Sequence, residues 1–146
     1  PYRPARLAWY VERVEAARAL LESDYAARHT LTTLARFAGM SPFHFARVFR
    51  EFAGTPPHRY LIRVRLARAS ERLRDGAGVT DACYASGFDN LSHFIRLFRR
   101  AYGVSPSQFA PASSGRGERA TSRRGRAWPA SSQLIQPNAP IDGAVD

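Results

Sequence analysis

The stretch that decides the fold is written twice: "HFARVFR" runs from His44 to Arg50, and "HFIRLFR" runs from His93 to Arg99. At this offset of 49 residues, His44/His93, Phe45/Phe94, Arg47/Arg96, Phe49/Phe98, Arg50/Arg99, Gly54/Gly103 and Pro57/Pro106 are identical pairs. Upstream the offset is 48, since Gly39 matches Gly87, so the second turn holds one extra residue. Spacing repeated over such a span marks an internal duplication rather than a chance match.

Within each copy the apolar residues recur at i, i+3, i+4 and i+7: Phe45, Val48, Phe49 and Phe52, then Phe94, Leu97, Phe98 and Ala101. That is one stripe of an amphipathic helix, and its natural use is as a core. Thr30 is a good N-cap for a short preceding helix to about Ala38. Gly39 stands where a left-handed residue ends that helix. Ser41 caps the next helix, Pro42 fits its first turn, and Gly54 stops it. Short helix, glycine turn and second helix make a helix-turn-helix.

Pro57 opens a long helix that ends in the "DGAG" of Asp75 to Gly78. Tyr60, Leu61, Val64, Ala67 and Leu73 are expected to face a core, with Arg59, Arg63 and other arginines solvated. A first amphipathic helix is expected over Arg6–Ser23, burying Leu7, Tyr10, Val11, Val14, Ala17 and Leu21. The expected architecture is all-α, with two homeodomain-like helix-turn-helix subdomains joined by a long linker helix. The units fall at about 30–53 and 79–102, the linker at about 57–74, and the whole domain at 6–110. Residues 111–146 are rich in Ser, Pro, Gly and Arg without helical period and read as a disordered basic tail.

The net charge is +10 with a pI near 11, and every basic residue apart from histidine is arginine. Such a balance implies an anionic partner, nucleic acid or an acidic surface. The single cysteine, Cys83, rules out a disulfide framework or a zinc cluster built on cysteines. No apolar run approaches the roughly 18 residues of a membrane span, and the amino terminus has no signal-peptide pattern. A cytoplasmic, nucleoid-associated location is expected. The chain begins at Pro1, which implies removal of an initiator or a fragment of a longer protein. Paired carboxylates, a glycine-rich phosphate loop and a placed nucleophile–base pair are all missing from the pattern, so no enzyme is expected. No metal or cofactor is expected either.

With the phenylalanines assigned to the core, the opposite face of each second helix is left for function. In the first copy it carries Phe43, His44, Ala46, Arg47 and Arg50; in the second, Leu91, Ser92, His93, Ile95, Arg96 and Arg99. Pro42 and Asn90 border these faces. A helix set by a helix-turn-helix brings its early residues to base edges in the major groove. Arginine there can bind guanine O6 and N7 bidentately, a role given to Arg47 and Arg96. Arg50 and Arg99, one turn later, are placed on phosphate. His44 and His93 stand between phosphate donation, capping and packing. Phe43, Leu91 and Ile95 can touch thymine methyl groups.

The stretches "LTTLARFAGMSPFHFARVFREFAGTPPHRYLIRVRLARASERL" and "VTDACYASGFDNLSHFIRLFRRAYGVSPSQF" resemble the DNA-binding domain of the AraC/XylS family of bacterial transcriptional regulators. The resemblance covers about residues 6–110. It implies recognition helices entering successive major grooves, roughly 34 Å apart, on an asymmetric site. By position, its base-contacting sites fall on Phe43, Ala46 and Arg47, then Leu91, Ser92, Ile95 and Arg96. Polar residues are usual in the family where Ala46, Leu91 and Ile95 stand, which implies fewer hydrogen-bonded bases in the second unit. Ala82 stands where a larger aliphatic is usual, and Tyr84 is large, which implies looser packing there. Double-stranded DNA is the expected partner and RNA polymerase a further candidate, with no membrane partner. An effector ligand is not expected within this chain, because no effector domain can be formed from it; the resemblance leaves open a stand-alone member or an effector domain upstream of Pro1. A backbone-only DNA-binding or protein-docking module is the alternative reading. Repair proteins that pair a similar domain with a zinc-bound cysteine differ from this chain in having a cysteine cluster.

Overall fold

A computed structural model describes residues 3–111 of the chain. The tail expected over 111–146 lies outside the described residues, apart from Pro111. Among the described residues there are seven helices and no strand: α1 (Pro4–Ser23), α2 (Leu31–Ala38), α3 (Pro42–Ala53), α4 (Pro57–Arg74), α5 (Val79–Ala85), α6 (Leu91–Tyr102) and α7 (Pro106–Phe109). They form two compact units whose division falls between Arg65 and Leu66, inside α4.

Each boundary has a local cause. The Thr30 hydroxyl accepts from the Thr33 N–H at 3.1 Å, and the Thr33 hydroxyl accepts from the Thr30 N–H at 3.1 Å, a reciprocal capping box. At the end of α2, Gly39 is left-handed with φ 71°. Its N–H donates to the Arg36 carbonyl, and that of Met40 donates to the Ala35 carbonyl. The end of α5 repeats this pattern, with Gly87 donating to Tyr84 and Phe88 to Cys83. Both are Schellman closures, which satisfy the last carbonyls that a helix leaves open. The extra residue of the second turn comes after this closure: Ser41 caps α3 two residues beyond Gly39, and Asn90 caps α6 three beyond Gly87.

The core of the first unit joins Tyr10, Val14, Ala17 and Leu21 of α1 to Leu34 and Ala38 of α2, Phe45, Val48 and Phe49 of α3, and Tyr60 and Val64 of α4. Phe45 and Phe49 lie 5.6 Å apart between ring centroids, tilted by 52°, and Phe49 meets Tyr60 edge-on at 5.7 Å and 75°. The second unit repeats both contacts: Phe94 and Phe98 lie 5.7 Å apart, and Phe98 meets Phe109 edge-on at 5.2 Å and 77°. Even the covering cation recurs, with Arg18 over Tyr60 at 5.4 Å and Arg74 over Phe109 at 5.5 Å. The duplication therefore runs on to Tyr60 and Phe109, which sit at the same 49-residue offset.

Several expectations need correction. Leu7 and Val11 are 40% and 41% exposed, because α1 buries only the narrower stripe of Tyr10, Val14, Ala17 and Leu21. Phe52 and Leu97 are half-buried, and Ala101 is exposed. Tyr102, one residue on, fills that end of the α6 core against Phe98 at 4.4 Å. Tyr84 is 52% exposed, so its size does not burden the second core, although Ala82 is fully buried as a small residue. Nor are all arginines of α4 solvated. Arg63 is half-buried, its guanidinium held below the usual arginine range by burial and by Arg59. The Arg65 Nε donates to the Tyr25 carbonyl at 2.7 Å, and its Nη2 to that of Ala27 at 2.8 Å. Those two bonds pin the loop that delivers Thr30 to the start of α2.

Two predictions test this packing. Phe49→Ala should cost about 3–5 kcal/mol in urea unfolding, whereas Phe43→Ala on the 81% exposed side chain should stay within about 0.5 kcal/mol. The Tyr60 hydroxyl donates to Glu22 and accepts from Arg18; burial first, then the Glu22 bond, pushes its phenol up from 10 to about 12. The folded chain thus holds that proton more tightly than the unfolded chain. Its contribution is intact below pH 10 and is lost as pH rises through about 12. The urea midpoint should fall across that window, and less steeply in Tyr60→Phe.

Candidate nucleic-acid interface

Helices α3 and α6 are built by the same three local rules. A capping side chain starts each one: the Ser41 hydroxyl accepts from the His44 N–H at 3.3 Å, and Asn90 Oδ1 accepts from the His93 N–H at 2.9 Å. A buried phenylalanine pair fixes its rotation about its own axis. A left-handed glycine ends it, Gly54 or Gly103, each at φ 77° and donating back to an arginine carbonyl, Arg50 or Arg99. With the phenylalanines inward, the i, i+4 and i+7 positions of the other face turn to solvent.

On α3, Pro42, Phe43, Arg47 and Arg50 are exposed. Phe43, at 81%, is by a wide margin the most exposed large apolar side chain of the described residues. His44 is half-buried, and its ring packs edge-on against Tyr10 at 5.5 Å, which fits packing, one of the three roles left open for it. Ala46 is half-buried at the edge of an apolar hollow beside Thr30, Leu34, Pro57 and Leu61. On α6, Asn90, Ser92, Arg96 and Arg99 are exposed, while Leu91, His93 and Ile95 are half-buried. Arg47 and Arg50 share one stripe of α3, and Arg96 and Arg99 share the corresponding stripe of α6. None of the four makes an ion pair among the described residues. Four uncompensated guanidiniums offer planar, bidentate donors to phosphate or guanine.

Among the described residues no cluster of three His, Cys, Asp or Glu side chains could hold a metal ion, and no helix is long and apolar enough to cross a membrane. Cys83 is fully buried, and burial pushes its thiol up, away from the reactive thiolate. Two features escaped the sequence pattern. The Arg65 clamp depends on a contact across some 40 residues, which periodicity does not register. The recurrence at Tyr60 and Phe109 was open to the same offset count that matched Pro57 to Pro106.

Comparison with known proteins agrees with this geometry. A helix-turn-helix domain family matches residues 34–111. The HTH-type transcriptional activator RhaS of Enterobacter sp. (strain 638) is 35% identical over 97 residues, 66% of this chain and 35% of that protein. The chain thus spans about a third of the length of the curated relatives it matches. The solved structure of a probable AraC family transcriptional regulator from Rhodopseudomonas palustris CGA009 is 32% identical. It superposes with a TM-score of 0.62 over 67% of this chain and 94% of that one. The DNA-binding domain of AdpA, solved in complex with a target DNA, is 28% identical with a TM-score of 0.63, covering 66% and 87%. Duplicated helix-turn-helix units, repeated caps and repeated cores together with these matches place the chain in the AraC/XylS family of helix-turn-helix transcription regulators.

Proposed function

We propose that the chain is a sequence-specific DNA-binding transcription regulator that reads two adjacent major-groove segments of an asymmetric site, one with α3 and one with α6. The observation that carries this reading is the repeated outward arginine pair, Arg47/Arg50 and Arg96/Arg99, on helices whose opposite faces are buried by the same phenylalanine pair. The AdpA domain solved with a target DNA supports the same partner for this chain, double-stranded DNA. Arg47 and Arg96 read guanine edges, and Arg50 and Arg99 hold phosphates. Phe43 offers its ring to a thymine methyl group, and the equivalent Ser92 offers a hydroxyl instead. Pro42 and Asn90 line the entry of each helix, with Ala46, Leu91 and Ile95 contributing apolar surface and His44 and His93 flanking it. Action as a regulator implies RNA polymerase as a second partner and work on DNA in the bacterial cytoplasm, without chemistry of its own.

A second reading draws on the half-buried, apolar Leu91 and Ile95, which reduce hydrogen-bonded readout by α6. In it the basic faces hold only DNA backbone or dock a protein. Substitution profiles separate the two. Arg47→Ala and Arg96→Ala should each relax preference at one or two base positions, losing about 1–3 kcal/mol of discrimination there. Arg50→Ala should weaken every duplex by a similar factor and lower the salt dependence. Uniform losses from all three variants would leave backbone binding as the function.

A further inference from the structure

Beside the first turn of α3 lies an open groove that no part of the base-reading account uses. Its walls come from Arg6, Trp9 and Tyr10 of α1, from Met40 and Ser41 of the turn, and from His44. No carboxylate of the described residues lines it. Arg6 is exposed and makes no ion pair among the described residues. The His44 ring is steadied by its edge contact with Tyr10, and Trp9 in turn packs on Tyr10 at 5.3 Å. The groove is therefore firm on one side and cationic on the other. It adjoins the residues that start the reading helix, Ser41 and His44, one position either side of Pro42 and Phe43.

We infer that this groove holds a backbone phosphate of the strand that α3 reads, with Arg6 as its charged partner and His44 and Trp9 as flanking donors. The inference rests on the DNA-binding reading above. A helix whose early residues reach base edges has phosphates on either side of its N-terminal turn. An arginine without an ion pair among the described residues, beside an imidazole and an indole, suits a phosphodiester, and no acid among the described walls repels one. Helix α1 thereby becomes a third DNA-contacting element, one that carries no sequence information and sets the register of α3 on the duplex. An acidic protein segment is the competing occupant.

The test pairs Arg6→Gln in the full chain with neutral methylphosphonate links scanned along a bound duplex. Arg6 is exposed in the first turn of α1, and an unchanged helical circular dichroism spectrum will verify the fold of the variant. The slope of log K against log salt should fall by about 0.9, with about a fivefold loss at physiological salt on every sequence alike. One methylphosphonate position should cost the unsubstituted protein that same factor and cost Arg6→Gln clearly less, since the charged partner is already gone. Unchanged slope and affinity would overturn the inference and leave the groove to an acidic protein segment. Equal methylphosphonate penalties in both proteins, or a loss confined to certain bases, would also overturn it. Loss of sequence preference by the unsubstituted protein would instead overturn the base-reading account, because the phosphate cycle does not depend on discrimination.

Discussion

The outward arginines of α3 and α6 depend on two phenylalanines one helical turn apart, buried twice. The Phe45/Phe49 and Phe94/Phe98 pairs have nearly the same centroid separation and meet nearly the same edge-on partner. A buried aromatic pair is both a large apolar burial and a directional contact, so it resists rotation of its helix. Rotating α3 by one residue would move Phe45 out of the core and carry Arg47 off the outer face. The arginines are thus aimed by residues on the opposite side of the helix, and the price of misaiming them is a cavity.

Much of this was legible from residue order because it is local. The caps at Thr30, Ser41 and Asn90, the stop at Gly54 and the start at Pro57 all follow from single residues whose chemistry suits one backbone position. The duplication made the reading firmer, since each copy checked the other. What failed was set by tertiary neighbours. A helical wheel gives α1 a broad apolar face, yet only the part that meets α2, α3 and α4 is covered, and Leu7 and Val11 stay outside. Ala101 and Tyr102 are adjacent candidates for the end of the α6 stripe, and the larger ring takes the core site.

The outer faces were legible only as residue lists. Spacing assigns Ala46, Leu91 and Ile95 to them, yet all three are half-buried, Ala46 at the edge of the hollow around Leu34 and Leu61. The groove at Arg6 was out of reach, since nothing in residue order brings the first turn of α1 to the turn before α3. The two units differ where they would meet bases. Phe43 answers to Ser92 and Ala46 to Ile95, while the arginines coincide. Matching arginines beside unlike neighbours are the pattern expected of two helices that meet two different sequences.

The measurement closest to that claim is selection of bound duplexes from a fully randomised library with the full chain, with the length of the protected footprint recorded. The account predicts one enriched motif in two unlike segments about a helical turn apart, each containing guanine, with no internal palindrome. An enriched palindrome would contradict two unlike readers, and the absence of any enriched motif would contradict sequence reading altogether.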